Sequence, residues 1–464
     1  MNKKLFQNQK VTVMGLGLHG GGAATVAWLC RHGAKVTVTD LKTAKQLDAS
    51  LAKLKGLKVK YVLGRHRESD FKQADFIVQN PGVPRESKYL VLAQRSGIPI
   101  YNDVTLFFKF CPASIIGVTG TRGKSTTSAL IYKFLETTKC RAWLAGLPQK
   151  PMLEILDKIK KDDLVVLEIS SWQLEILGNY QLSPKMAVIT NIYPDHLNRY
   201  SGMAEYIKAK TNLVLWQTEA DYSVLNRENE DAKKIGSKVT SQRFWFSKKY
   251  FKEENGIFVK NQMICQRLAG QERQLAKVSD IKLFGWHNLE NVLAALGAVS
   301  GYGVGLKGIK SVLKNFSGLS GRLELVKIEK GIKYINDTTA TTPDATMAAL
   351  RLSKKKNVVL IAGGDTKNIP DYKYRDLAKI IRNNCKAVVL FPGAGSQQII
   401  KQLKKIKFKP LVFDVGTMMD AVSLAQGFAK AGDTILLSPA SASFNMFINE
   451  FDRGGQFKLI VGGA

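Results

Sequence analysis

The run Gly117-Val118-Thr119-Gly120-Thr121-Arg122-Gly123-Lys124-Ser125-Thr126 carries the sharpest chemical signal in the chain. It follows the apolar stretch Ser114–Val118 and precedes a segment of helical pattern. In that setting glycines let backbone N–H groups close around phosphate oxygens, and the helix N-terminus adds partial positive charge. Lys124 has the reach for β and γ phosphates, and Ser125 offers a hydroxyl to Mg²⁺. The strict spacing GxxxxGK[ST] is not met, because Val118 stands at its first glycine. The loop is therefore a variant, with Gly120 inside it.

Two strand ends add candidate metal ligands. Glu168 closes the apolar run Leu164–Leu167, where a carboxylate beside a phosphate loop can hold Mg²⁺. Without that loop it would read as a solvated acid. Asp195-His196 follows the buried run Met186–Ile189, and His196 reads equally as a ligand and as a packed or surface histidine. Lys210 lies in a helical segment, Ala204–Leu215, and from the residues alone is one lysine among many. Upstream, Gly15-x-Gly17-x-x-Gly20 follows Val11–Met14, and Asp40 ends a second strand. That pattern fits a dinucleotide-type turn with a ribose-binding acid, and also a glycine turn serving packing alone.

The elements that must hold these residues alternate between strand and helix, which predicts parallel α/β sheets. A chain of 464 residues allows about three domains. Cys111-Pro112 and Leu319-Ser320-Gly321 read as breaks. The expectation is an α/β chain of three domains, 1–110, 111–318 and 319–464, with Rossmann-like domains flanking a central P-loop ATPase-like domain. Phe244–Phe246, Ile257–Val259 and Met263–Cys265 read as hairpin material inserted in the central one.

Lys+Arg is 69 against 38 Asp+Glu, a formal net charge of +31. The lysines sit in short groups along the whole length, with no arginine-rich arm or RNA-binding signature. This fits solvated faces and attraction of polyanionic small molecules, not a specific nucleic-acid partner. Five scattered cysteines with no CxxC pair argue against a disulfide scaffold or zinc site and fit a reducing, cytoplasmic setting. No apolar run reaches the roughly 18 residues of a membrane helix, and no secretory apolar region follows Met1–Lys4.

Taken in order, the motifs resemble the Mur ligase family over essentially the whole chain. Besides the two glycine loops, the resemblance rests on Leu167–Glu175, Thr190–Tyr200, Tyr206–Lys210, Gly285–Asn291 and Phe316–Glu324. It continues through Ile335–Asp337, Ala362–Lys367 and Leu436–Ser443. Within the family the chain is most similar to the branch that adds glutamate to UDP-N-acetylmuramoyl-L-alanine in the cytoplasmic stage of peptidoglycan synthesis. The resemblance implies that ATP converts the acceptor carboxylate to an acyl phosphate, which the glutamate amine then attacks. It implies small-molecule partners only, a monomer, and Mg²⁺, two ions in the family.

By resemblance, Ser125, Glu168, His196 and a carbamylated Lys210 would hold metal, with Lys124 the catalytic cation. Gly117, Thr119 to Thr126, His287, Asn288, Asn291, Arg322 and Asp337 would face ATP, the last two when the domains close. Leu18, His19, Gly20, Asp40, Asn80, Ser170 and Gln173 would meet the UDP substrate. Thr341, Lys367, Ser443 and Phe451 would hold glutamate.

The chain departs from the family pattern at several positions. Arg122 replaces a usual asparagine, Leu147 replaces an asparagine that contacts the muramoyl group, and Leu18-His19 replaces a Leu-Thr pair. Gly321 replaces a histidine, Thr339 a lysine, and Glu450-Phe451 reverses a usual order. Thr339–Pro343 also looks like a less common branch that uses L-glutamate, while the overall resemblance implies D-glutamate. A non-catalytic nucleotide-binding paralogue and a nicotinamide oxidoreductase are the competing readings; the latter leaves Lys124, Ser125 and Glu168 unexplained.

Overall fold

A computed structural model describes residues 5–462 except 148–149, 196–198, 284–286, 354–355, 367–368 and 444–445, and except the side chain of His287. Three sheets organise it. The first contains β1 (Lys10–Met14), β2 (Lys35–Asp40), β3 (Val59–Leu63), β4 (Phe76–Gln79) and β5 (Ile100–Tyr101). They pair in parallel in the order β3-β2-β1-β4-β5. The order reverses beside β1, so the crevice at the carboxyl ends of β1 and β4 is the natural ligand position.

The second sheet contains β6 (Ser114–Thr119), β7 (Ala142–Ala145), β8 (Leu164–Glu168), β9 (Met186–Ile189), β10 (Tyr222–Asn226), β11 (Gln242–Ser247), β12 (Gly256–Lys260), β13 (Met263–Leu268) and β14 (Gln271–Lys277). Their order is β14-β13-β12-β11-β10-β9-β6-β8-β7. Here β6 lies between β8 and β9, which brings the loop after it beside both Glu168 and Thr190-Asn191. All four residues of β9 and all five of β8 are buried, as expected for strands covered on both faces.

The inserted segment differs in part from its expectation. β12, β13 and β14 do form an antiparallel meander. Phe244–Phe246 instead lies on β11, which pairs in parallel with β10 and β12 and continues the main sheet. An apolar triplet fits a buried strand of either direction, so its composition could not assign the partner.

The third sheet contains β15 (Glu324–Glu329), β16 (Ile332–Asn336), β17 (Val358–Gly363), β18 (Cys385–Phe391), β19 (Leu411–Val412) and β20 (Thr434–Leu437), ordered β15-β16-β20-β17-β18-β19. Only the β15–β16 pair is antiparallel. The chain divides into two compact units between Asn315 and Phe316, and the first two sheets belong to one of them. Among the described residues no helix is long and apolar enough to cross a membrane.

One apolar cluster runs through the first two sheets, from Phe6, Val13 and Trp28 to Leu156, Val165 and Leu167. Trp28, on the helix Gly21–Arg31, is fully buried and donates from Nε1 to Asp157 Oδ1 at 3.1 Å. His32 and Arg31 lie 3.3 and 3.6 Å from the same carboxylate. Apolar burial thus joins the two sheets and Asp157 fixes their register. Trp28→Ala is expected to lower unfolding free energy by about 3–5 kcal/mol, measured by urea denaturation, because it removes a large ring from a close-packed core.

Candidate active site

The loop between β6 and the helix Lys124–Leu135 is fixed from outside by Thr190 and Asn191. Asn191 O accepts from Thr121 N at 2.8 Å, and its Oδ1 accepts from Arg122 N at 2.9 Å. Thr190 Oγ1 donates to Arg122 O at 2.6 Å. Two glycines are required. A Cβ on Gly120 would lie 1.9 Å from Thr190 Oγ1. A Cβ on Gly123, which has φ of +82°, would lie 2.0 Å from Asn291 Oδ1. Asn291, on the helix His287–Val299, also donates to Asn288 Oδ1 at 2.9 Å, so one predicted asparagine meets the loop and orients the other. Gly117 and Thr119 belong to β6 itself. Gly117 packs against Pro184 and Leu213, and Thr119 Oγ1 donates to Ile169 O at 2.8 Å.

Lys124 Nζ donates to Gly120 O at 3.1 Å, and Lys210 Nζ donates to the same oxygen at 2.8 Å. Lys210 is only 1% exposed, on the helix Met203–Thr211, with its ammonium over the ring of Tyr206. Burial pushes this amine well below the usual lysine range; Lys124 pushes the same way, while Asp195 and Glu168 oppose the shift. Glu168 sits opposite Val118 in the sheet register, and its Oε2 is buried without a hydrogen-bond partner among the described residues. Ser125 is buried one residue after Lys124.

An orphaned carboxylate oxygen and a hydroxyl beside a phosphate cradle suit a hard cation such as Mg²⁺. Among the described residues no group of three His, Cys, Asp or Glu side chains could hold a metal. A Mg²⁺ ion commonly completes its shell with phosphate oxygens and water. The position of His196 and the side chain of His287 lie outside the described residues. Arg122 is largely exposed, 3.8 Å from Asp195. Thr126 is half-buried on the first turn of the same helix.

At the first sheet the glycine turn folds around Asp40. Leu16 N and Gly17 N donate to Asp40 Oδ2 at 2.9 and 3.2 Å, and Lys42 N donates to Oδ1 at 2.9 Å. The carboxylate expected at a substrate hydroxyl therefore also shapes the turn. Gly20 begins the helix Gly21–Arg31 with φ of +89°, His19 is exposed, and Leu18 packs on the core. Asn80 follows β4 and lies against Gly15. Ser170 and Gln173 form a capping box for the helix Ser171–Asn179. Gln173 Nε2 also donates to Asp103 at 3.1 Å, and Asn102 Nδ2 donates to Gln173 O at 3.0 Å, so this pair lies on the seam between the two sheets.

In the second unit, Asp337 follows β16. Leu323 N and Ser438 Oγ donate to its two oxygens at 3.2 and 2.8 Å. Burial raises the Asp337 carboxyl to about 7, against the smaller opposing effects of Ser438, Leu323 N and Arg322. Arg322 is exposed beside it. Two of the departures from the family pattern meet: Thr339 Oγ1 donates to Gly321 O at 2.9 Å, and Gly321 has φ of +74°. Ser443 is buried after β20, with its Oγ lacking a hydrogen-bond partner among the described residues. Thr341 follows the Thr339 turn, Phe451 lies half-buried on the last helix, and Lys367 is outside the described residues.

Sequence reasoning assigned no role to Arg453, which is fully buried and donates to Thr338 O at 2.9 Å and Ser441 O at 3.3 Å. It quoted Tyr206 in the motif Tyr206–Lys210 but gave it no role; its hydroxyl lies 3.2 Å from Thr121 Oγ1. No local signal assigns these contacts. Their partners are distant in sequence.

A phosphate loop whose lysine shares one carbonyl with a second, buried lysine, on an α/β chain of this topology, defines a nucleotide-dependent enzyme. Residues 118–299 match the Mur ligase middle domain, 9–102 the Mur ligase MurD-like N-terminal domain, and 321–441 the Mur ligase glutamate ligase domain. The chain belongs to the Mur ligase family, the ATP-dependent ligases that form amide bonds.

The relatives narrow this further. The chain is 40% identical to the UDP-N-acetylmuramoylalanine–D-glutamate ligase of Roseiflexus sp., over 98% of each chain. It is 36% identical to the protein of the same name from Acetivibrio thermocellus, over 99% of this chain and 97% of that one. The fold resembles that of UDP-N-acetylmuramate-alanine ligase from Thermotoga maritima, with TM-score 0.61, 18% identity and coverage of 97% and 98%.

Two outcomes test this geometry. Gly123→Ala should abolish ATP binding, read by calorimetry, because the loop cannot clear Asn291. The stability supplied by protonated Asp337 is complete below the ordinary carboxyl value near 4 and is lost as pH rises through about 7. Wild type should therefore lose thermal midpoint across that window relative to Asp337→Asn, measured by calorimetry from pH 4 to 8.

Proposed function

We propose that this protein joins D-glutamate to UDP-N-acetylmuramoyl-L-alanine at the expense of ATP, through an acyl phosphate, in the cytoplasmic stage of peptidoglycan synthesis. The observation that carries the reading is the pair Lys124 and Lys210 on Gly120 O, beside the orphaned oxygen of Glu168. Full-length similarity to ligases of that name supports the substrates.

The chemical difficulty is charge, since an anionic carboxylate must approach an anionic γ-phosphate. Lys124 and the loop N–H groups offset that repulsion and stabilise charge that grows during transfer. Ser125, Glu168, His196 and a carbamylated Lys210 would hold Mg²⁺, which supplies further neutralisation of the phosphates. The depressed Lys210 amine supports the carbamate, because only a neutral amine adds to carbon dioxide. Carbamylation turns the buried cation into an anion and removes its repulsion from Lys124.

The first domain takes the UDP end of the acceptor at Leu18, His19, Gly20, Asn80 and Asp40. The third holds glutamate through Thr341, Lys367, Ser443 and Phe451. The buried Ser443 hydroxyl supports this, since it has no hydrogen-bond partner among the described residues.

Phosphate release should require ATP, UDP-N-acetylmuramoyl-L-alanine and D-glutamate together. Release that needs L-glutamate instead would overturn the stereochemical assignment. Lys124→Ala should cost about a thousandfold in kcat, the scale of one lost transition-state donor; a loss below about tenfold would refute its role. Lys210→Ala should be inactive and partly restored by added formate, and carbon dioxide-depleted wild type should regain activity with bicarbonate.

A further inference from the structure

Beyond the residues that touch nucleotide or metal, one helix joins the acceptor side of the molecule to the phosphate loop. The helix Met203–Thr211 carries Lys210 near its end and Tyr206 in its middle, and both reach the loop at Gly120 and Thr121. Its first turn carries Glu205, whose Oε2 accepts from Ser201 N and Ser201 Oγ at 2.8 and 3.0 Å. The other oxygen of Glu205 pairs with Arg85, from the segment that follows β4. That segment begins at Asn80, against the Gly15 turn where the acceptor is placed.

A second arm reaches the same segment. The Arg199 guanidinium stacks over Trp172 at 4.6 Å, lies 3.5 Å from Glu175 Oε2, and donates to Pro81 O at 3.1 Å. It is mostly buried, and its Nε has no hydrogen-bond partner among the described residues. Its neighbour Tyr200 packs on Tyr206, ring centroids 5.2 Å apart. A cavity of about 440 Å³, lined in part by Gln79, Arg85, Glu175, Tyr200, Glu205 and Lys208, lies between these elements. Arg85 and Glu205 line that cavity, and Arg199 holds Pro81 from the other arm.

We propose that Arg199 is a positioning residue for the ligation, which fixes the backbone of Pro81 and so sets the acceptor-binding segment in register with the helix that carries Lys210, with Arg85–Glu205 as the second point of attachment. The inference rests on the ligation proposed above. A lysine cannot replace this arginine, because a point charge cannot stack on Trp172 while donating to Pro81 O and facing Glu175.

The test is steady-state kinetics on the full chain with each substrate varied in turn. Arg199→Lys, Arg199→Ala and Arg85→Ala are each expected to raise KM for UDP-N-acetylmuramoyl-L-alanine by about tenfold or more while KM for ATP stays within about twofold. Arg199→Lys should be no better than Arg199→Ala. If the alanine variant does not fold, the lysine and Arg85 variants decide. A wild type with acceptor-dependent turnover, and variants whose acceptor KM is unchanged or whose three KM values rise together, would overturn this inference alone. Full rescue by lysine would also overturn it. A wild type without acceptor-dependent turnover would overturn the ligation reading and this inference with it.

Discussion

The carbonyl oxygen of Gly120 accepts hydrogen bonds from two lysines, and most of the site follows from that crowding. Two ammonium groups drawn to one neutral oxygen repel each other, and one of them is almost wholly buried. Such an arrangement is stable only if one amine gives up its proton or anions arrive to separate the charges. Polyphosphate answers the second condition, and burial beside Lys124 pushes the Lys210 amine toward the first. Gly120 must be a glycine for the oxygen to be there at all, because Thr190 occupies the space a side chain would need.

The sheets exist, in functional terms, to hold that oxygen in place. β6 lies between β8 and β9, so Glu168, Thr190 and Asn191 are carried to the loop by neighbouring strands and not by flexible connections. Rigid presentation matters because electrostatic stabilisation acts only if the donors are oriented before charge develops. The shared apolar cluster of the first two sheets extends the same rigidity to the glycine turn around Asp40.

Much of this was legible in the residues. Gly123-Lys124-Ser125-Thr126 announces itself because phosphate binding needs a local pattern, and alternating strands and helices announce parallel sheets. The environment of Lys210 was not legible, since it depends on Gly120 and the phosphate loop reaching it from a distant segment. The work Asp40 does on the glycine turn was hidden for a related reason: an acid at a strand end can serve a ligand, a backbone or both. The direction of β11 was lost because apolar composition records burial, not the sense of the neighbouring chain.

The contact between Gly321 and Thr339 constrains what either position can hold. A side chain added at Gly321 would press on Thr338 Cγ2 at 2.8 Å and sit at a φ of +74° that L-residues seldom adopt. Thr339 in turn secures the Gly321 carbonyl. A lysine at position 339 would lose the hydroxyl bond while the backbone bond from Thr339 N to Gly321 O, at 3.1 Å, could remain. The two departures therefore share one turn: Gly321 supplies the left-handed backbone and Thr339 the hydroxyl that holds its carbonyl.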